Sequence, residues 1–277
     1  METPETHRIR LTLHYDGAEF FGWQLQARER TVQGELERVL SRLLNRPTRV
    51  LGSGRTDRGV HAVGQVAAVD VPVRWAPAEL RRAMNALLPR DVWVAHASVA
   101  RPRFHPRYDA RSRSYVYRIG TSPEAASPFH ARWCWPLGRE LDRERMAEAT
   151  HLLIGDNCFR AFAKAGQEER GDRCMVSEAR WVDWAPIGIE LRISANRFLH
   201  HMVRYLVGTL VEIGLGRRPV EEMAELLKAD TALETSPPAP PQGVYLTRVW
   251  YADDGEEADG VEEAGGSTVL PAAPPNH

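Results

Sequence analysis

The stretch Gly52–Ala62 reads Gly-Ser-Gly-Arg-Thr-Asp-Arg-Gly-Val-His-Ala and carries one carboxylate, Asp57, between the guanidinium groups of Arg55 and Arg58. Gly52, Gly54 and Gly59 exclude a helix interior, where each glycine costs about 1 kcal/mol. The stretch therefore reads as a strand-to-strand loop in which bare backbone can come close to a ligand. A single carboxylate held there can act as a nucleophile, as a general base, or as a counter-charge to a developing cation. The plainer alternative is a surface turn with a solvated Arg–Asp pair, which contributes about 1 kcal/mol at most.

Three other groups of residues carry chemical interest. Residues 101–118 are dense in arginine and aromatics, including Arg101, Arg103, Phe104, His105, Arg107, Tyr108, Tyr115 and Tyr117. Basic side chains interleaved with aromatic ones suit a partner made of phosphates and bases, although a strand with one aromatic core face and one solvated charged face has the same pattern. Arg204 interrupts an otherwise apolar run from Phe198 to Leu210. A buried guanidinium requires a partner, a carboxylate or a phosphate. His61, His105, His200 and His201 raise the question of a metal, but adjacent histidines on a helix point about 100° apart and share an ion poorly, so no metal site is expected.

The elements that must hold these residues follow from periodicity. Ile9, Leu11, Leu13 and Tyr15 alternate as on one face of a strand, and Asp16-Gly17 turns the chain. An aromatic-rich loop, Phe20 to Gln26, comes next. Thr31 caps a helix through about Asn45, with Val32, Leu36, Val39, Leu40, Leu43 and Leu44 as its apolar face and Pro47 as its stop. Short strands bracket the Gly52–Ala62 loop, ending in the run Val66–Val73, and Pro77 opens a second helix. Further strands are expected at Val92–Ala95, Ser112–Ile119, Cys174–Asp183, Ile187–Ala195 and Gly243–Tyr251. Helices are expected at 141–154, from Phe198 to Leu210, and at Val220–Leu227. Strands and helices do not alternate strictly, which favours an α+β fold over a parallel sheet.

The chain of 277 residues can bury a substantial core, and its 43% hydrophobic and 26% charged content is that of a globular protein. No apolar run reaches the roughly 20 residues of a membrane span, and residues 1–7 lack the apolar core of a signal peptide. Three cysteines, Cys134, Cys158 and Cys174, without paired metal spacing point to a reducing cytoplasm. The net charge of −1 conceals a division. Residues 253–277 hold seven acidic groups and no lysine or arginine, so the body carries 36 basic against 37 − 7 = 30 acidic groups, or +6. Only Lys164 and Lys228 are lysines; the other 36 − 2 = 34 basic residues are arginines, which suit phosphate and base contacts, although GC-rich coding produces the same bias. The acidic tail, rich in Gly and Pro, is expected to be disordered.

Taken together these motifs resemble the TruA family of tRNA pseudouridine synthases. The loop Gly52–Ala62 is similar to the family's G-[AS]-G-R-T-D-x-G-V-H-A pattern, with Ser53 an allowed alternative. Tyr15-Asp16-Gly17 with Gly22-Trp23-Gln24 resembles its N-terminal signature, Tyr115-Val116-Tyr117 its aromatic strand, and Phe198-Leu199, Met202-Val203-Arg204 and Val207-Gly208-Thr209 its C-terminal helix motif. The resemblance covers about residues 8–251. It implies two similar α+β halves with largely antiparallel sheets flanked by helices and meeting at a central active-site cleft, here 7–110 and 111–252, with 253–277 as a tail. It also implies a homodimer acting on the tRNA anticodon stem-loop, at positions 38 to 40, with no cofactor. Asp57 is then the catalytic group. Arg55, Tyr115, Arg204 and Leu246 are the substrate-binding residues: Arg55 fills the space of a flipped base, Tyr115 stacks on the uracil, Arg204 pairs with Asp57, and Leu246 presses on the pocket. A non-catalytic RNA-binding protein on the same scaffold is the rival reading, and a nucleoside-cleaving hydrolase a third.

Overall fold

The computed structural model describes residues 5–164 and 171–252. The acidic tail and most of the loop 163–173 lie outside the described residues. The chain divides into two compact units. The first is formed by the chain up to Arg111 together with the stretch from Leu246 onward, and the second by Ser112–Tyr245.

In the first unit β1 (Thr6–Tyr15) runs antiparallel between β3 (His61–Pro72) and β4 (Val92–Val99). Its alternation is that expected of a half-buried strand: Ile9, Leu11 and Leu13 are fully buried, while Arg8, Arg10, Thr12 and His14 between them are partly exposed. Burying each such aliphatic side chain is worth about 1.5–3 kcal/mol. A two-residue strand, β2 (Leu51–Gly52), pairs with β3 and delivers the chain into the glycine-rich loop. The last strand, β10 (Val244–Tyr251), follows β3 in the sheet order, and from Leu246 on it belongs to this unit. It comes so close that a Cβ on Gly64 of β3 would lie 2.0 Å from the Thr247 carbonyl oxygen. The end of β10 is pinned by the Tyr251 hydroxyl, which donates to the Pro106 carbonyl at 2.7 Å.

Helix α1 (Val32–Leu44) starts where Thr31 Oγ1 accepts from the Gly34 N–H at 3.2 Å and ends at Asn45 in the left-handed conformation, φ 51°. Its buried residues Val32, Leu36, Val39, Leu40 and Leu44 form one stripe. Helix α2 (Pro77–Leu87) begins on its proline and buries Leu80 and Met84.

In the second unit β5 (Ala110–Gly120), β9 (Gly188–Ala195), β8 (Arg173–Trp184) and β7 (Gly155–Cys158) lie side by side in that order, all antiparallel. The two-residue β6 (Trp135–Pro136) pairs parallel to the end of β5. Helices α3 (Arg143–His151), α4 (Met202–Gly214) and α5 (Glu221–Leu226) belong to this unit. Asp142 caps α3 by accepting from the Arg145 N–H. Both units are thus α+β with largely antiparallel strands. Among the described residues no helix is long and apolar enough to cross a membrane.

One expected boundary moves. The apolar run from Phe198 suggests a helix from that residue, but α4 begins only at Met202. His201 sits at φ 65°, ψ 4°, a left-handed conformation that cannot continue a right-handed helix. Residues 198–201 are therefore a loop, and the two histidine rings lie with centroids 4.1 Å apart, a proximity two adjacent helical positions would not give.

Candidate active site

In the first unit the loop after β2 is tied down at almost every residue. The Ser53 N–H donates to the Val66 carbonyl at 2.8 Å and the Ser53 hydroxyl to Gln65 Oε1 at 2.6 Å. Gln65 Nε2 donates to the Gly54 carbonyl at 3.0 Å. The Thr56 hydroxyl lies 2.8 Å from the Tyr15 hydroxyl, and the Thr56 carbonyl accepts from the Trp23 N–H at 3.0 Å. The Val60 N–H closes a turn onto the Asp57 carbonyl, and the Gly59 N–H donates to the Phe20 carbonyl. His61, buried at the start of β3, accepts from the Gly17 N–H through Nδ1 at 3.0 Å, with Asp16 Oδ1 3.1 Å away.

The Asp16-Gly17 turn and the Gly22-Trp23 segment thus serve as walls of the loop. Glycine is required at both places. A Cβ on Gly17 would lie 2.0 Å from the Val60 oxygen, and one on Gly22, which has φ +87°, would lie 2.6 Å from the Thr56 oxygen.

At the tip of this scaffold Asp57 is half-buried, between exposed Arg55 and Arg58. Both arginines are engaged sideways. Arg55 Nε donates to Gln24 Oε1 at 3.0 Å. Gln24 in turn donates to Gln33 Oε1 at 2.9 Å, and Gln33 to Glu37 Oε1 at 2.8 Å, so a relay of polar groups runs from Arg55 to the outer face of α1. The Arg58 guanidinium stacks 4.1 Å from the Phe21 ring centroid. Leu246, on β10 in the same unit, is fully buried.

Tyr115 and Arg204 belong to the second unit. Tyr115, half-buried on β5, packs edge-to-face on Phe198 with centroids 4.9 Å apart and planes at 76°. That contact places Phe198 beside the aromatic strand. Arg204 stands in the first turn of α4, half-buried rather than fully enclosed. Its Nε donates to the Ala239 carbonyl at 2.7 Å, while the Ala239 N–H donates to the Arg204 carbonyl at 2.9 Å. The same connection approaches α4 at Gly208, whose Cβ would lie 2.1 Å from the Pro237 oxygen. Behind it, burial raises the Tyr117 phenol well above its ordinary value of 10, against the opposing pull of Arg204, and its hydroxyl donates to the Pro240 carbonyl.

A loop that presents one carboxylate on a fixed backbone can supply a nucleophile or a general base, and comparison with known proteins identifies the class of protein that carries it. A family model described as tRNA pseudouridine synthase matches residues 12–109 and 149–252, and the chain belongs to that family. Its relatives carry the more particular name tRNA pseudouridine synthase A. The one from Solidesulfovibrio magneticus is 41% identical over 253 residues, covering 90% of this chain and 92% of its own. Those from a Geobacillus species and Leuconostoc mesenteroides are 38% and 37% identical, covering 88% of this chain and 98% and 99% of theirs. The family isomerises uridine to pseudouridine in tRNA.

Reasoning from the sequence missed Gln65, Gln24 and the Tyr15–Thr56 pair. Gln65 announced itself only as a single amide within the apolar stretch after the loop, and a buried amide must find partners.

Proposed function

We propose that this chain converts uridines at positions 38 to 40 of the tRNA anticodon stem-loop to pseudouridine, acting in the cytoplasm as a homodimer, with Asp57 as the essential group. The observation that supports this most directly is the disposition of Asp57. It is the one carboxylate of the loop, half-buried, on a backbone held from both sides by hydrogen bonds, in a chain of this family.

The chemistry requires one carboxylate and no external reagent. The N1–C1′ bond breaks, the uracil turns over, C5 bonds to C1′, the C5 proton leaves and N1 gains a proton, so the atoms balance. Ionised Asp57 can attack the sugar or base, or remove a sugar proton, and then serve as the base at C5. Cleavage builds positive charge on the sugar, which a fixed carboxylate stabilises. A base within a stem must first leave its stack. Arg55, held at the loop by Gln24, occupies the vacated space and bonds phosphate, while Tyr115 stacks on the flipped uracil, a contact worth about 1–3 kcal/mol. Arg204 is the counter-charge to Asp57 in this reading, and Leu246 the residue that presses on the base.

The test is pseudouridine formation on unmodified tRNA. The wild-type protein should modify the anticodon stem-loop, and Asp57→Ala should give no product while still binding tRNA. Binding without modification by the wild-type protein would establish a non-catalytic RNA-binding protein, and release of free uracil a hydrolase.

A further inference from the structure

Two buried polar side chains lie under the loop without reaching its tip. Tyr15 ends β1 and is 4% exposed; Gln65 lies in β3 and is fully buried. The register between the two strands shifts between Leu13 and Tyr15, a bulge that re-aims the end of β1 toward the loop. There the Tyr15 hydroxyl meets the Thr56 hydroxyl at 2.8 Å, one residue before Asp57. Gln65 uses both ends of its amide: Oε1 accepts from the Ser53 hydroxyl at 2.6 Å, and Nε2 donates to the Gly54 carbonyl at 3.0 Å and lies 3.4 Å from the Tyr15 oxygen. Ser53, Gly54 and Thr56 are therefore all held from below by one connected network.

We infer that Tyr15 and Gln65 are positioning residues that set the placement of Asp57 through Thr56, Gly54 and Ser53. The Tyr15, Ser53, Thr56 and Gln65 side chains of the network are buried, where an amide or hydroxyl robbed of its partner carries a large desolvation penalty. The network therefore has one low-energy arrangement, and the backbone that bears Asp57 inherits it. An apolar pair of the same volume would pack here without fixing the loop, because packing is not directional. Directionality is what a reacting carboxylate needs, since a displacement of about 1 Å costs about 100-fold in rate. The inference rests on Asp57 being the essential group, and its test separates the two.

Tyr15→Phe keeps the ring, which packs 6.3 Å from that of Trp23, and removes only the hydroxyl. With enzyme saturating over unmodified tRNA, the single-turnover rate should fall about 10- to 100-fold while the Kd for tRNA stays within about twofold. Thr56→Val should lose rate similarly, Thr56→Ser should restore it to within about threefold of wild type, and Tyr15→Phe with Thr56→Val should be no slower than the slower single variant. A Tyr15→Phe rate within about twofold of wild type, additive losses in the double variant, or a loss matched by weaker tRNA binding overturns the inference. If Tyr15→Phe does not fold, the Thr56→Val and Thr56→Ser pair decides, and equal rates overturn it. Asp57→Ala is measured alongside. If it turns over, the proposed function fails; if it is inactive while Tyr15→Phe is unimpaired, only the positioning role fails.

Discussion

Gly22→Ala tests how closely the loop is confined. Gly22 lies outside the Gly52–Ala62 motif, yet its backbone abuts the peptide that joins Thr56 to Asp57. An added Cβ would lie 2.6 Å from the Thr56 oxygen, 3.2 Å from the Asp57 carbonyl carbon and 3.3 Å from the Arg58 nitrogen. Relief to the 3.0–3.4 Å at which real contacts begin requires a movement of 3.0 − 2.6 = 0.4 Å to 3.4 − 2.6 = 0.8 Å. Side-chain relaxation cannot supply it, because all three atoms are backbone. At about 100-fold per ångström of misplacement, the single-turnover rate should fall about 6- to 40-fold. Stability should fall by about 2–5 kcal/mol, the sum of about 1–2 for a left-handed φ and about 1–3 for overpacking. Gly138→Ala is the control, since Gly138 has φ +61° and nothing within 4 Å of the added Cβ. It should lose about 1–2 kcal/mol of stability and no rate. Pseudouridine formation with excess enzyme and thermal melting give both quantities. If Gly22→Ala melts no lower than Gly138→Ala and reacts at the wild-type rate, the confinement argument is wrong.

Gln24→Ala removes the acceptor of Arg55 Nε, an exposed contact worth about 1 kcal/mol, so KM for tRNA should rise about fivefold with kcat unchanged; a loss confined to kcat would contradict the placement of Arg55 as an RNA-binding group. The thiols of Cys134 and Cys174 are each pushed up to about 11 from 9.0, chiefly by burial. For a group raised on folding, the stabilisation is complete below the unfolded value and is lost as pH rises, so denaturant midpoints should decline from about pH 9 to about pH 11. Below that range the folded protein should resist alkylation at both thiols, and rapid labelling without unfolding would refute the burial.

Much of the fold was legible because single residues carry strong local signals. Thr31, the apolar stripe of α1 and Asn45 announce a helix from cap to cap, and Pro77 announces the next. The strand alternation from Ile9 to Tyr15 is equally plain. What escaped has a physical reason in each case. The start of α4 depends on a left-handed histidine, and neither propensity nor periodicity marks His201 for that conformation. The strand β6 is two residues long and exists only through its pairing with β5. At the site, the motif around Asp57 is local and could be read directly. Its supports are not: Tyr15 and Thr56 are 41 positions apart, and Gly22 acts on a loop more than thirty residues further along the chain. At Arg204 the backbone adds a contact that no local signal announced, since Nε donates to the Ala239 carbonyl 35 positions along the chain.

The return of β10 to the first unit has a consequence for biosynthesis. The Asp57 loop is made early, but the strand next to β3 in the sheet is among the last of the described residues to leave the ribosome. From Arg111 to Tyr251 is 251 − 111 = 140 residues, about 7 to 28 s of elongation. For that interval the nascent first unit has β1 and β4 in place, but the other edge of β3 is covered only by the two residues of β2, and such an edge invites pairing with other chains. Gly64 marks the point on β3 where β10 later comes too close for any side chain. An N-terminal fragment ending near Arg111 therefore contains the whole Asp57 motif with β1 to β4 but lacks β10. The sheet of the first unit is therefore completed only when its final strand arrives.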